Sequence, residues 1–213
     1  MPTAYHLKIE LRHLKPAIFR EVLVAPDIKL SKLHDIIQAA MGWDDAHLHG
    51  FALLVGKESF YAVPPERRFE PASHDPMDFG RPVGDESRTR LSDLLLAPKQ
   101  KLAYNYDFGD DWEHLITLKA IVETEAALPT LIKAQHACPP EDCGGPPGFL
   151  DLAEAWHLPD HEMHEYAREV FDDNGPGWFD VERLAKDVAR LQPKARAGAK
   201  AKVWVKTTAK PLI

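Results

Sequence analysis

Two short blocks of the sequence together supply imidazole and carboxylate side chains. The first is His47-Leu48-His49, and the second runs from Asp110 to His114. Alternate residues of a strand share a face, so His47 and His49 would project together, and His114 would join them if the two strands were neighbours. Imidazole and carboxylate groups are common ligands of divalent ions such as zinc or manganese. The spacing therefore makes His47, His49 and His114 candidate metal ligands.

The second block also suits proton-transfer chemistry. Asp110, Asp111 and His114 are candidate catalytic residues, because two neighbouring carboxylates can share a proton and act as acid and base. Adjacent residues of a strand point apart, so this role requires Asp110 and Asp111 to converge in a turn. The alternative is structural: these side chains cap strand ends and hold the turn through hydrogen bonds to backbone groups.

A third block, Cys-Pro-Pro-Glu-Asp-Cys-Gly-Gly-Pro-Pro-Gly, begins at Cys138 and leads into a helical pattern. The amides of Gly144 and Gly145 could bind a carboxylate or phosphate at the helix start, and the helix dipole could activate Cys143. The four-residue gap between Cys138 and Cys143 also suits zinc, although a closed site needs two further ligands. The third alternative is a rigid structural loop with reduced thiols.

Aromatic residues accompany the polar blocks. Trp43 precedes the first block and Trp112 lies inside the second, and together with Gly144 and Gly145 they are the candidate binding residues. A base-stacking surface normally lies in a basic groove, whereas the neighbours of Trp112 are acidic. The alternation of Tyr104, Tyr106, Phe108 and Trp112 therefore favours a place in the core.

Hydrophobic periodicity predicts an α+β fold. Strands are expected where the pattern is that of an extended segment, over residues 5–11, 18–24, 47–55, 59–63, 102–108, 112–122 and 129–137. Helices are expected where apolar residues recur three or four positions apart, over 30–41, 91–96 and three segments after 148. Strands come first and helices last. We therefore expect an antiparallel sheet built from hairpins, with one helix after the first hairpin and the C-terminal helices covering the sheet.

Several residues mark where these elements begin and end. Gly42 is expected to end the first helix, and Asp180 is expected to cap the start of the last one. Residues 64–90 are dense in Pro, Gly, Asp and Arg without a sustained period, which predicts a long surface loop.

Composition is typical of a cytoplasmic globular protein. Of the 213 residues, 45% are hydrophobic and 28% are charged, which is enough for one sizeable core. We expect neither secretion nor membrane insertion, because there is no basic leader before an apolar segment and no run of about 18 apolar residues. Two cysteines are too few for a disulfide scaffold and suit a reducing compartment.

The net charge of −7 conceals an asymmetry along the chain. Residues 193–213 hold six of the 26 basic residues and no acidic one, so the other 20 basic residues face 33 acidic residues. We therefore expect residues 1–192 to form a single acidic domain and 193–213 to form a basic C-terminal tail. An acidic body repels phosphate backbones, whereas a basic tail attracts them.

Four ordered blocks resemble the plasmid pRiA4b ORF-3-like family, namely Trp43–His49, Asp78–Leu95, Tyr106–His114 and Cys138–Gly148. The later segments HEMHEYAREVF and WFDVERLAKDV are similar to its helical end, so the resemblance covers roughly residues 3–192. It implies an association with plasmids and mobile elements, where some members carry a transposon-resolvase label. We expect no recombinase chemistry, because no serine here stands in a recognisable arginine-supported nucleophile setting.

Two functional hypotheses follow. The first is a non-catalytic binding or accessory module that acts on a protein or nucleic-acid partner through the long loop and the basic tail. The second is a metal-dependent, hydrolase-like enzyme that uses the His/Asp cluster around a divalent ion. Both expect the polar blocks to surround a common cleft. A third hypothesis is a structural interaction domain with an exposed apolar patch. The sequence gives no argument for or against it.

Overall fold

A computed structural model describes residues 1–72, 83–193 and the backbone of 206–207. Its strands are β1 Thr3–Leu11, β2 Ile18–Val24, β3 His49–Leu53, β4 Arg68–Glu70, β5 Gly84–Asp85, β6 Lys101–Tyr106, β7 Trp112–Glu123, β8 Thr130–Gln135 and β9 Lys206–Thr207. They form one sheet in the order β5-β4-β3-β6-β7-β1-β2-β8-β9. Pairing is antiparallel except at the two edges, where β5 lies parallel to β4 and β9 parallel to β8.

The α-helices of the described residues are α1 Leu30–Met41, α2 Leu91–Leu94, α3 Gly145–His157, α4 His164–Phe171 and α5 Val181–Arg190. Helix α1 follows the first hairpin, and α5 packs against both α1 and β8. The predicted α+β class, with one helix after the first hairpin and helices at the C-terminal end, is confirmed. None of these helices is long and apolar enough to cross a membrane.

The first hairpin forms the centre of the core. Strands β1 and β2 pair antiparallel from Tyr5 opposite Val24 to Leu11 opposite Ile18, and β7 pairs along the other side of β1. Every second residue of β1 from Tyr5 to Leu11 is buried, as the alternation predicts. Burying each large apolar side chain contributes about 1.5–3 kcal/mol. This hairpin therefore gives the loops at the sheet ends a rigid base.

The inner face of the sheet beneath α1 is polar and aromatic near one end. Cross-strand pairing sets His49, Tyr106 and Trp112 in one row and Phe51, Tyr104 and His114 in the next. All six side chains are buried, and α1 adds the buried polar residues His34 and Gln38. Buried polar atoms need hydrogen-bond partners, so this row constrains the loops above it.

Two features of the N-terminal half differ from the predicted elements. The prediction of a companion strand around 59–63 is wrong. Residues Phe60–Ala62 form a 3-10 helix, and β4 is the strand that pairs with β3. Phe60 is buried with Ala52, Val63 and Ala103, and this packing holds the turn closed. The expected strand over 47–55 is shorter, since β3 begins at His49 and leaves His47 in the preceding loop.

Parts of two predicted segments lie outside the described residues. They are residues 73–82 of the expected long loop, which include the start of the Asp78–Leu95 block, and most of the expected basic tail. The remainder of the loop contains a second 3-10 helix, Pro65–Arg67, and the short strands β4 and β5. At the C-terminal end, only Pro193 and the backbone of β9 are described.

Asp180 caps α5 as predicted, because its Oδ1 accepts a hydrogen bond from the Arg183 amide at 2.9 Å. The Asp180→Ala variant is expected to lower the free energy of unfolding by about 1 kcal/mol, since an amide of the first turn loses its partner. Urea denaturation followed by circular dichroism measures this loss. The matched control is Glu182→Ala, which removes an acid from the same turn without removing the cap. Equal losses in both variants would contradict a capping role.

Candidate functional site

Three polar segments meet at the end of the sheet where β3 and β7 begin and β6 ends. They are residues 43–47, which follow α1, the turn 107–111, and the loop 138–145, and we call them together the rim. The Trp43 indole donates a hydrogen bond to the Pro139 carbonyl at 2.8 Å, and the Asp44 amide donates to Glu141 Oε2 at 2.8 Å. The Gly144 amide donates to Asp110 Oδ2 at 3.1 Å. The three predicted blocks are thus brought together at one end of the sheet.

Tyr106 connects the rim segments from below. Its buried hydroxyl accepts a hydrogen bond from the Ala46 amide at 2.9 Å and donates one to the Glu141 carboxylate. The Trp43 ring stacks on the Tyr106 ring with centroids 5.0 Å apart. Burial, followed by the hydrogen bond to Glu141, raises the pKa of Tyr106 well above its ordinary value. The hydroxyl therefore remains protonated and can act as a donor.

A mixed nitrogen and oxygen donor group lies on the rim. His47 Nε2 is 3.1 Å from Asp142 Oδ1 and 3.8 Å from Asp107 Oδ2, and one donor atom of each residue lies within 4.8 Å of the others. His47 Nε2 is buried and makes no hydrogen bond of normal geometry within the described part of the chain. Asp107 and Asp142 both have positive φ, of 55° and 56°. This backbone conformation is uncommon outside glycine, although aspartate tolerates it better than most residues.

The rim is strongly acidic. Its three segments contain no lysine or arginine, and their carboxylates are Asp44, Asp45, Asp107, Asp110, Asp111, Glu141 and Asp142. A concentration of like charge raises the local concentration of counter-ions of the opposite sign. The rim therefore attracts cations and repels phosphate.

A second donor group consists of His34, Asp45 and His49. His34 Nε2 donates to Asp45 Oδ1 at 2.8 Å, and its Nδ1 accepts from the Tyr104 hydroxyl at 2.8 Å. His49 Nε2 donates to Glu86 Oε2 at 2.9 Å. Burial, followed by the neighbouring His49, lowers the pKa of His34 below its ordinary value.

The rings of His34 and His49 are stacked, with centroids 3.5 Å apart and planes 4° from parallel. Imidazole binds metals through a lone pair in the plane of the ring, so two stacked rings cannot both point at one ion. Each ring already has its own carboxylate partner. This arrangement fits a hydrogen-bonded core network better than a metal centre.

His114 lies in the core and belongs to neither donor group. It is fully buried, its ring contacts those of Trp43 and Tyr104, and its Nδ1 donates to the Trp112 carbonyl at 2.8 Å. Burial lowers the pKa of His114 to about 3, so the imidazole is neutral. Within the described residues, His114 Nε2 and Trp112 Nε1 have no hydrogen-bond partner. Trp43, the first residue of the rim, and Trp112 beneath it are both buried.

The neighbouring aspartates of the second block point to different partners. Asp110 accepts from the Gly144 amide, whereas Asp111 Oδ1 accepts from the Asn105 side-chain amide at 2.8 Å. Asn105 belongs to the face of the sheet opposite His114, because it alternates with Tyr104 and Tyr106. The turn therefore separates the carboxylates of Asp110 and Asp111.

The third block contains two protonated thiols, and the backbone amide that could bind an anion is already bound to Asp110. Burial raises the pKa of both Cys138 and Cys143 to about 12, so neither is an activated nucleophile, and neither forms a disulfide. Neither cysteine joins a donor group among the described residues. The Gly144 amide, a candidate for binding an external anion, binds the carboxylate of Asp110.

Sequence reasoning missed several residues of this region. Asp107 and Asp142 lie within the recognised blocks, but their adjacency depends on the left-handed turns that contain them. Tyr106 and Glu141 join those turns, and His34 projects from a helix face that was expected to be apolar. Two features of the sequence could have indicated these residues. Asp107 precedes a glycine-containing turn, and Asp142 precedes Cys143.

The protein belongs to the α+β class, with helices packed on a mostly antiparallel sheet. Three loops form an acidic rim at one end of that sheet. The sequence model of the family described as "Plasmid pRiA4b ORF-3-like protein" matches residues 3–187. The chain therefore belongs to this family, in agreement with the four sequence blocks.

Two relatives illustrate the similarity. "Uncharacterized protein y4hQ" of Sinorhizobium fredii is 37% identical over 162 residues, which are 74% of this chain and 75% of that protein. The crystal structure of MM3350, a protein of unknown function from Methanosarcina mazei Go1, superposes with a TM-score of 0.70 at 29% identity. That match covers 87% of this chain and 97% of MM3350. The names of these relatives state no activity.

Gly145 allows the third block to pack on the turn. Its φ is +69°, and a β-carbon added there would lie 2.3 Å from the Asp110 carbonyl oxygen. The Gly145→Ala variant is expected to lose roughly 3 kcal/mol of unfolding free energy, because backbone must move in addition to the conformational strain. The control is Gly56→Ala, since Gly56 has a φ of +87° with open space around it and adds only the strain of about 1 kcal/mol. Equal losses by urea denaturation would contradict the close approach.

His114 makes the folded state sensitive to acid. The unfolded chain protonates this imidazole near the ordinary value of 6.5, whereas the buried ring has a pKa of about 3. Below pH 6.5 the unfolded state therefore binds a proton that the folded state excludes, and the free energy of unfolding falls by roughly 1 kcal/mol per pH unit toward pH 3. The His114→Phe variant is expected to show a shallower fall in urea titrations between pH 7 and pH 4. An unchanged slope would contradict this origin.

Proposed function

We propose that the protein is a divalent-metal-binding module with its centre at His47, Asp107 and Asp142. One observation carries this proposal: an imidazole nitrogen and two carboxylate oxygens, from three separate segments, lie within 4.8 Å of one another. The set is a refined version of the His/Asp cluster expected from the sequence. It retains His47, replaces Asp110 and Asp111 with Asp107 and Asp142, and leaves His49 and His114 in the core network.

The distances from His47 to the two carboxylates are close to those around a metal ion. Ligand bonds of about 2.0–2.2 Å place neighbouring ligand atoms roughly 3.0–3.5 Å apart around one ion. The separations from His47 Nε2 are 3.1 Å to Asp142 and 3.8 Å to Asp107. A bound ion would also give a coordinate bond to the buried Nε2, which makes no hydrogen bond of normal geometry among the described residues.

The donor types favour zinc or manganese. One imidazole with two carboxylates is a borderline-to-hard ligand set, whereas calcium usually takes oxygen ligands alone. Three protein ligands leave coordination positions for water or another molecule, as in catalytic zinc sites. A hydrolase-like activity would use such a position to activate water, and metal binding is the property on which that activity depends.

The acidic rim weighs against direct contact between this site and nucleic acid. Its seven carboxylates have no lysine or arginine beside them within the three segments. Phosphate recognition depends on basic side chains, so a nucleic-acid partner would need another surface. The basic tail, which lies largely outside the described residues, remains the candidate for that contact.

Titration of tag-free protein with manganese or zinc tests the proposal. Isothermal titration calorimetry is expected to show one site, and each of His47→Ala and Asp142→Asn is expected to weaken it by at least about tenfold, because each variant removes a ligand. Bound metal is also expected to raise the melting temperature of the wild-type protein more than that of His47→Ala or Asp142→Asn.

Asp44→Asn is the matched control, since it removes a rim charge outside the donor group. Its affinity is expected to stay close to that of the wild-type protein. Absence of saturable binding, or equal weakening by Asp44→Asn and Asp142→Asn, would reject a coordinated site in favour of diffuse attraction.

A further inference from the structure

An apolar groove lies at the opposite end of the sheet from the rim. It has a volume of about 290 Å³, and its walls include Val24, Ile28, Ile36, Leu128, Pro129 and Leu191. These residues come from the end of β2, the segment before α1 and the middle of that helix, the segment before β8 and the residue that follows α5. A concave apolar surface of this kind favours an apolar occupant.

The walls of the groove are held in place. Gln192 Nε2 donates to the Pro129 carbonyl at 2.9 Å, which joins the end of α5 to the segment before β8. Lys32 Nζ and Asp35 Oδ2 form an ion pair of 2.9 Å and belong to the same lining. Leu191 is 40% exposed, so the groove leaves part of its apolar wall open.

The course of the chain indicates an occupant. The described part of the domain ends at Pro193, which itself lines the groove. The chain is described again at Lys206 and Thr207, which pair in parallel with Lys133 and Ala134 of β8. Because the two strands are parallel, β9 is entered from the side on which β8 begins, and β8 begins directly after the groove residue Pro129.

The composition of the intervening twelve residues singles out one segment. Residues 194–202 contain only Lys, Arg, Ala and Gly, whereas Val203, Trp204 and Val205 directly precede β9. Twelve residues can span about 40 Å when extended, which is ample for a chain that leaves the groove wall and returns beside it. Tryptophan also has the largest apolar surface to bury of the residues in this tail.

We propose that the groove is the docking site of the chain's own segment 203–205, with the Trp204 indole as its anchor. The basic stretch between Pro193 and Val203 is then tethered at both ends to the acidic domain. The short link keeps the effective concentration of the segment at the groove high, so docking needs only modest intrinsic affinity.

Fluorine NMR of the full chain, labelled with 5-fluorotryptophan, tests this inference. The Trp204 resonance is identified by its loss in Trp204→Phe. A soluble gadolinium chelate is expected to broaden it less than the resonance of Trp178, which is 59% exposed. The Leu191→Glu variant adds a charge to the groove wall, and Leu128→Glu adds one at a second lining residue. Each is expected to abolish the protection of Trp204 and leave Trp178 unchanged.

Leu150→Glu is the matched control, because Leu150 is 49% exposed and does not line the groove. It is expected to leave Trp204 protected. Broadening of Trp204 equal to that of Trp178 in the wild-type chain, or protection that survives both groove variants, would overturn the proposal. Protection that disappears on dilution, together with a dimer in sedimentation, would show docking by a second copy and would overturn docking within one chain.

Discussion

The buried hydroxyl of Tyr106 determines how the rim is assembled. It accepts from the Ala46 amide, donates to Glu141, and lies under the Trp43 ring. One side chain of β6 thereby holds the segment after α1 and the loop before α3 against the same strand. Leaving a buried polar group without its partner costs roughly 1–3 kcal/mol, so these contacts are strongly favoured as a set. The position of His47 relative to Asp142 follows from them, because each neighbours a residue bound by Tyr106.

Folding brings the carboxylates of the rim together, and the repulsion between them opposes folding. Backbone amides offset part of the repulsion, as when the Asp44 amide binds Glu141 and the Gly144 amide binds Asp110. Four rim aspartates also adopt positive φ angles, namely Asp45, Asp107, Asp111 and Asp142. Such conformations cost free energy and persist where the surrounding structure enforces them, often at functional sites. Repulsion and backbone strain together are consistent with a region shaped to receive a cation.

Local sequence patterns predicted the helices and strands better than they predicted the contacts between them. The first hairpin, α1 with Gly42 in the left-handed conformation at its end, and the Asp180 cap each follow from short-range signals in the sequence. The turn at Phe60 did not, because its side chain packs against Ala103 of β6, which is distant in sequence. At the site, the meeting of the three blocks was anticipated, but the donor atoms were not. Asp107 and Asp142 are oriented by left-handed turns, and the burial of His114 depends on Trp43 and Tyr104, contacts that no periodicity encodes.

The parallel pairing at the two sheet edges has a consequence for the protein in a crowded solution. Strands β4 and β8 would each present free amides and carbonyls to any extended chain that met them, and such edges promote aggregation. Two-residue pairings with β5 and β9 occupy part of those edges, and α5 packs on β8. A second molecule that paired with the same residues of β4 or β8 would have to displace these short strands. The short edge pairings therefore cover part of the edges along which another copy of the sheet could pair.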